Sequence, residues 1–143
     1  MLSENRNGLA GVRVSVANPK AERETALELL RAVRGKGRKT VGCEKGFDER
    51  HFVTGVRAMG MTPHESPHIR RLSHVDARTT RHGAFVVSQR KRKRIEEIFR
   101  WIKSVALLRK VRHRGRARVA WMFTTGAAAY SLVRMRTLLS AAA

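Results

Sequence analysis

The sequence predicts an α/β protein with parallel strand pairing, and three observations carry that prediction. Val12, Val14 and Val16 alternate with polar neighbours, the period of a half-buried strand. Residues 21–33 and 49–59 repeat their apolar positions at helical spacing. Short connections then give the order strand, helix, strand, helix, strand, in which each crossover helix sets its flanking strands parallel.

The first strand falls within Gly8–Ala17, and Asn18-Pro19 ends it. Pro19 suits a helix start, because its missing N–H is not needed in the first turn. In the helix from Ala21 to Val33, Ala26, Leu29, Leu30 and Val33 point inward. Glu22 and Glu24 sit in its first turn, where the helix dipole favours acids. Gly35 and Gly37 stop it, and Lys39–Cys43 forms the second strand, leading into the loop Glu44–Asp48. Asp48 is a suitable N-cap for a helix over Glu49–Met59, with Phe52, Val53, Val56 and Met59 inward. Gly60 closes that helix, and a third strand at Met61-Thr62 is cut short by Pro63. Residues 63–87 have no period and hold four of the six histidines, so they read as a loop. A helix from Ser88 to about Val111 carries the stripe Ile95, Ile98, Phe99, Ile102 and Ala106. After a break at Val111–Gly115, a last helix spans about Ala117 to Leu139, with Val119, Met122, Phe123, Gly126, Tyr130 and Val133 packed. Trp101 and Trp121 are expected in the core. The reading is one domain over 1–143: a strand and helix part at 1–64, a loop at 65–87 and C-terminal helices at 88–143.

Charge names the class of partner. Thirty-one Lys and Arg against eleven Asp and Glu give a net charge of +20, far beyond the magnitude of roughly 2–8 that keeps a small domain in solution. Such an imbalance calls for a polyanion. Seventeen of the cations and only three of the acids fall between Arg70 and Arg118. The single cysteine, Cys43, excludes an internal disulfide and fits a reducing compartment. The longest uncharged run, Val119–Val133, is fifteen residues, short of the roughly twenty a membrane helix needs. No signal-peptide pattern follows Met1.

Glu96 lies four residues after Arg92 and seven before Lys103. On one continuous helix those offsets share a face, and a carboxylate between two cations could hold a metal ion beside a phosphate. The spacing alone fits better a solvated face with ordinary ion pairs, which are common and individually weak. Arg92-x3-Glu96-x6-Lys103 resembles the Tyr-x2-Arg-x3-Glu-x6-Lys signature of bacterial insertion-sequence transposases of groups four and five. The block from Ser88 to Lys103 is similar to the family's segment around its last catalytic glutamate. Glu4-Asn-Arg-Asn-Gly-Leu9, Thr62-Pro-His64, Val75–His82 and Arg112-His-Arg-Gly115 resemble further segments in the family's order.

The resemblance implies a ribonuclease-H-like catalytic domain, incomplete at its N-terminus. It also implies three acids that hold Mg²⁺ or Mn²⁺ for phosphoryl transfer on DNA. Glu96 takes the place of the third acid and Glu44, in Gly42-Cys-Glu-Lys-Gly-Phe-Asp48, that of the second, where an aspartate is usual. The longer side chain extends the carboxylate by on the order of 1.5 Å, and a misplacement of about 1 Å can cost some hundredfold in rate. Arg92 and Lys103 would grip phosphates, with Arg90, Lys91 and Arg94 and the cluster 109–118 adding DNA contacts. Gln89 replaces the signature tyrosine, and neither Asp48 nor Asp76 stands where the first catalytic aspartate belongs. The expectation is the C-terminal portion of a truncated or frameshifted copy, without strand transfer of its own and marginally stable alone. It would act in the bacterial cytoplasm at the nucleoid, with DNA, full-length transposase or itself as partner, and no membrane.

Two other classes compete. A non-enzymatic basic nucleic-acid-binding protein derived from a transposase would keep the charge without the chemistry. A membrane-surface helix would need aromatic anchors that the basic run lacks. His64-x3-His68 has metal-ligand spacing but contains Pro67, and two ligands fall short of a structural site. His82 and His113 fit phosphate or solvent contacts, and Cys43 fits a buried apolar position.

Overall fold

The computed structural model describes residues 1–35, 37–66 and 73–141. The chain divides into two compact units, one of Met1–Val16 with Arg94–Ala143 and one of Ala17–Lys93. We call them the helical unit and the strand unit.

The strand unit is built on a parallel pair, β3 (Lys39–Cys43) and β4 (Met61–Glu65), in unbroken register from Lys39 beside Met61 to Cys43 beside Glu65. The crossover between them is α2 (Arg50–Ala58), as the strand–helix–strand order predicts. Phe52, Val53 and Val56 of α2 are buried together with Val41 and Met61. α1 (Pro19–Arg31) begins with Pro19 behind Asn18, whose side chain accepts from the Ala21 amide at 2.7 Å. Gly55 admits α1 to α2: a Cβ there would lie 2.9 Å from Leu27 Cδ2.

Four expectations about this unit change. β4 runs through Pro63 to Glu65, because among the described residues it pairs with β3 alone and Pro63 can sit on an edge strand. Asp48 does not cap α2; Glu49 does, accepting from the Phe52 amide, while Asp48 Oδ1 accepts from His74 N at 2.7 Å. The stretch read as a loop contains α3 (Ala77–Thr80) and the start of α4 (Gly83–Arg92). Finally, the helix expected from Ser88 to Val111 is two helices, since α4 ends at Arg92 and α5 spans Arg94–Ser104.

The charges mark that last break. Arg90, Lys91 and Arg92 occupy the last turn of α4 and Glu96 and Glu97 the first turn of α5. Each set suits the dipole of its own helix end. A continuous helix would oppose Arg90 and Arg94 but would pair Arg92 with Glu96 and Lys93 with Glu97, so side-chain pairing alone does not break it.

The helical unit packs α5 against α6 (Arg116–Ser140) and the hairpin of β1 (Leu2–Ser3) and β2 (Leu9–Gly11). Ile98, Ile102 and Tyr130 form its buried centre, with Leu9, Trp101 and Phe123 against them. Trp101 and Tyr130 meet edge to face at 5.4 Å. Gly126 permits a close approach, since a Cβ there would lie 3.0 Å from that of Ala106. The alternating Val12, Val14 and Val16 form no strand; β2 is Leu9–Gly11, and Val16 is exposed. Alternation without a neighbouring strand to pair with does not hold an extended segment in a sheet. Phe99, Trp121 and Val133, expected inside, are also exposed.

Candidate nucleic-acid interface

In the strand unit the predicted residues gather at the carboxyl ends of β3 and β4. Glu44 directly follows β3 and is exposed. Gly42 lets α4 lie close over that end: a Cβ at 42 would be 3.0 Å from Ser88 Oγ and 3.4 Å from Arg92 Cβ. Arg92 is therefore rooted beside the strand two residues before Glu44. Gln89, in the place of the signature tyrosine, ties this corner together. Its Nε2 donates to the His64 carbonyl, and its Oε1 accepts from Ser66 Oγ at 3.0 Å and Arg92 Nε at 2.9 Å. The bond to Gln89 uses Nε of Arg92, the nitrogen farthest from the guanidinium tip, and so suits a side chain whose terminal nitrogens meet a phosphate. Arg90 and Lys91 are exposed on the same helix.

Glu65 is a residue the sequence reading missed. It is fully buried, and neither carboxylate oxygen has a hydrogen-bond partner among the described residues. Burial, with the nearby Asp48 charge adding to it, pushes its pKa up to about 7. In a parallel pair, laterally adjacent residues share a face. Glu65 thus shares a face with Cys43, Val41 and Pro63, while Gly42 and His64 share the one α4 covers. The ring of His64 meets Phe85 of α4 at 5.4 Å, and burial lowers its pKa. Burial, reinforced by Glu65, pushes the Cys43 thiol above its ordinary range and so favours its protonated form. His68 lies outside the described residues, so its spacing from His64 is not followed further.

In the helical unit, Glu96 and Lys103 stand two turns apart on α5, about 10 Å along its axis. The Glu-x6-Lys half of the signature is thus realised on one helix. The Arg92 half is not, because Arg92 belongs to α4 in the strand unit. Glu96 and Lys103 line an open groove with Phe99, Arg100, Arg109 and Arg112. Its volume of about 1490 Å³ exceeds the roughly 300–1,000 Å³ of small-molecule sites. Glu96 is the one acid among its lining residues, against five cations.

The other two acids of this unit are engaged in structure. Glu97 Oε2 accepts from Asn7 Nδ2 at 2.8 Å. Glu4 Oε1 accepts from the amides of Arg6 at 2.8 Å and Gly8 at 2.6 Å, tightening the hairpin turn. Asn7 itself has φ of 63°, the left-handed conformation that asparagine tolerates, and its carbonyl accepts from Tyr130 Oη at 3.0 Å. Arg134 donates twice to the Arg6 carbonyl, and Arg94 Nη1 donates to that of Asn5 at 3.1 Å. The Glu4–Gly8 segment is a turn locked by α5 and α6, and Arg94 is one of its locks.

Among the described residues, no three His, Cys, Asp or Glu side chains are grouped to hold a metal ion. Glu44 belongs to the strand unit and Glu96 to the helical unit, and neither unit alone assembles a donor set.

An α/β chain with a carboxylate set among arginines and lysines in an open groove has the chemistry of a polyanion-binding protein. The family described as Transposase DDE domain matches residues 4–132. The chain belongs to that family, whose members generally use divalent metal ions and whose substrate is DNA. No curated protein and no solved structure matches it. Among the described residues, no helix is long and apolar enough to cross a membrane.

Proposed function

We propose that this chain serves DNA transposition as a bacterial insertion-sequence transposase with a ribonuclease-H-like core, acting in the cytoplasm on nucleoid DNA. In this reading these 143 residues bind DNA but do not cut it by themselves. The observation that carries the binding is the groove of α5, where Lys103, Arg100, Arg109 and Arg112 surround Glu96. Phosphates are gripped by Lys103 in the helical unit and by Arg92, held by Gln89, in the strand unit. Arg90 and Lys91 add diffuse attraction, whereas Arg94 serves mainly the hairpin turn. Glu44 and Glu96 occupy the acid positions of the family pattern, where bound Mg²⁺ or Mn²⁺ would supply charge stabilisation for phosphoryl transfer.

The reading of a DNA binder without its own chemistry is favoured by a second observation. Glu44 carries one methylene more than the usual aspartate, and the carboxylate best shielded from water, Glu65, faces away from α4.

Both parts are tested with purified protein and a nicked or pre-cleaved DNA end in Mn²⁺, comparing the natural chain with Glu96→Gln. Binding without cleavage, unchanged by the substitution, is expected. Metal-dependent nicking lost in Glu96→Gln would instead establish a working site. Five groove cations acting on phosphates predict a log–log salt slope of about −4.5, hence a roughly 500-fold loss of affinity from about 50 to about 200 mM salt. A slope near zero would refute phosphate binding.

A further inference from the structure

The groove of α5 carries more than charge. Phe99, Arg100 and Lys103 follow Glu96 by three, four and seven residues, so the four share one face of the helix. Phe99 opens into the groove and is 38% exposed. Past the helix end the lining continues with Leu107 and Val111, 58% and 66% exposed, set among Arg109, Lys110 and Arg112. Aromatic and aliphatic walls are thus interspersed with five cations and a single carboxylate.

Leu107 is held in that wall at a steric cost. Its φ is 57°, in the left-handed region where a side chain crowds its own backbone and glycine is the usual residue. The turn itself serves the fold. Val105 N donates to the Trp101 carbonyl at 2.8 Å and Leu108 N to that of Ile102 at 3.3 Å. Leu108 then packs onto the buried centre of the unit. A glycine at 107 would make the same turn without strain. The leucine adds an exposed apolar group facing the groove, so its contribution lies with what the groove holds.

We infer, on the reading that this groove is the DNA surface, that it selects an unpaired DNA strand over a duplex. Phe99 and Leu107 cover base faces while Arg100, Lys103 and Arg109 hold the phosphates. In a duplex the base faces are stacked on one another, and the outside offers phosphate, sugar and base edges. Such a surface meets the cations and leaves the three apolar side chains without a matching partner. An unpaired strand presents both chemistries along one line, an anionic backbone and free base faces. Stacking of those faces on an aromatic ring tolerates any sequence.

The test is fluorescence anisotropy of the full chain with a labelled homothymidine strand, and with the same strand annealed to its complement, across a salt series. The unpaired strand should bind about tenfold more tightly. Five cations on phosphates predict a log–log salt slope of about −3.5 for the unpaired strand, against about −4.5 for the duplex. Phe99→Ala should cut the ratio of the two affinities by about tenfold, and Phe99→Trp should restore it. Leu107→Gly should also lower the ratio while leaving the thermal midpoint no lower, because it relieves the positive φ. A leucine serving the fold alone would instead move the midpoint and spare the ratio. Equal affinity for the two forms, or a ratio unmoved by Phe99→Ala and Leu107→Gly, would overturn the inference and leave phosphate binding standing. Salt-dependent binding to neither form would overturn it together with the reading of the groove as a DNA surface.

Discussion

The two units handle their acids in opposite ways. The strand unit holds eight of the eleven, and three ion pairs, Lys20 with Glu24, Arg23 with Glu49 and Arg57 with Asp76, lie within it. The helical unit holds three, of which Glu4 and Glu97 are bound into the hairpin turn and only Glu96 faces the groove. Both units carry the same net positive charge, so the contrast lies in placement rather than in charge: the helical unit gathers five cations around a single carboxylate in one groove.

The largest effect that would sharpen this contrast is expected from Ile98→Ala. Removing the centre of the helical core should cost about 2–5 kcal/mol. Hydrogen exchange should then show the amides of α5 and α6 losing protection while those of α2 keep theirs. Equal loss in both would break the division into units.

Next comes Glu65, the buried acid of the strand unit. Its folded pKa of about 7 lies above the ordinary value of 4.5, so between those values the folded state binds more protons than the unfolded one. Stability contributed by the protonated form is full below about pH 4.5 and is lost as pH rises through about 7. Glu65→Gln should remove this dependence. It should be stabilising by on the order of 3 kcal/mol at about pH 8 and nearly neutral at about pH 4.5, as read from denaturant midpoints. A variant less stable than the natural chain under the alkaline condition would show that the carboxylate is paired.

The smallest effect is at Gln89. Gln89→Ala should cost about 1–2 kcal/mol, because the His64 carbonyl loses its donor. Gln89→Glu should cost nearly as much, since it sets an acceptor against that carbonyl, yet it keeps a partner for Arg92. If Arg92 grips phosphate, DNA affinity should fall in Gln89→Ala and be spared in Gln89→Glu once both are compared under folded conditions.

Much of the strand unit is legible in the sequence because its signals are local. Pro19, the apolar spacing of α2 and the short links around Gly60 each act within a few residues, and the parallel pair follows from their order. The helical unit is harder to read, since its hairpin is fixed from Asn7 by partners 90 and 123 residues away, Glu97 and Tyr130. The valine alternation at 12–16 cannot reveal that it lacks a neighbouring strand. Helical periodicity in α6 marks apolar positions on two faces without saying which is covered, so it puts Trp121 and Val133 inside. The break at Lys93 does leave a trace, in cations that precede acids across a helix boundary. The signature spacing hides it by suggesting one continuous face. Glu65 sits in a strand that Pro63 cuts short on sequence grounds, and its burial follows only once β4 extends past that proline.

The locked turn at Asn7 also sets an order of events during translation. Every residue of the strand unit has been made once the ribosome passes Lys93, so that unit can close while synthesis continues. The hairpin that precedes it must wait for Tyr130 and Arg134, which follow their acceptors by 123 and 128 residues, before its carbonyls find their donors. A segment made before the strand unit thus settles after it, and α5 gains its backing only once α6 has been made.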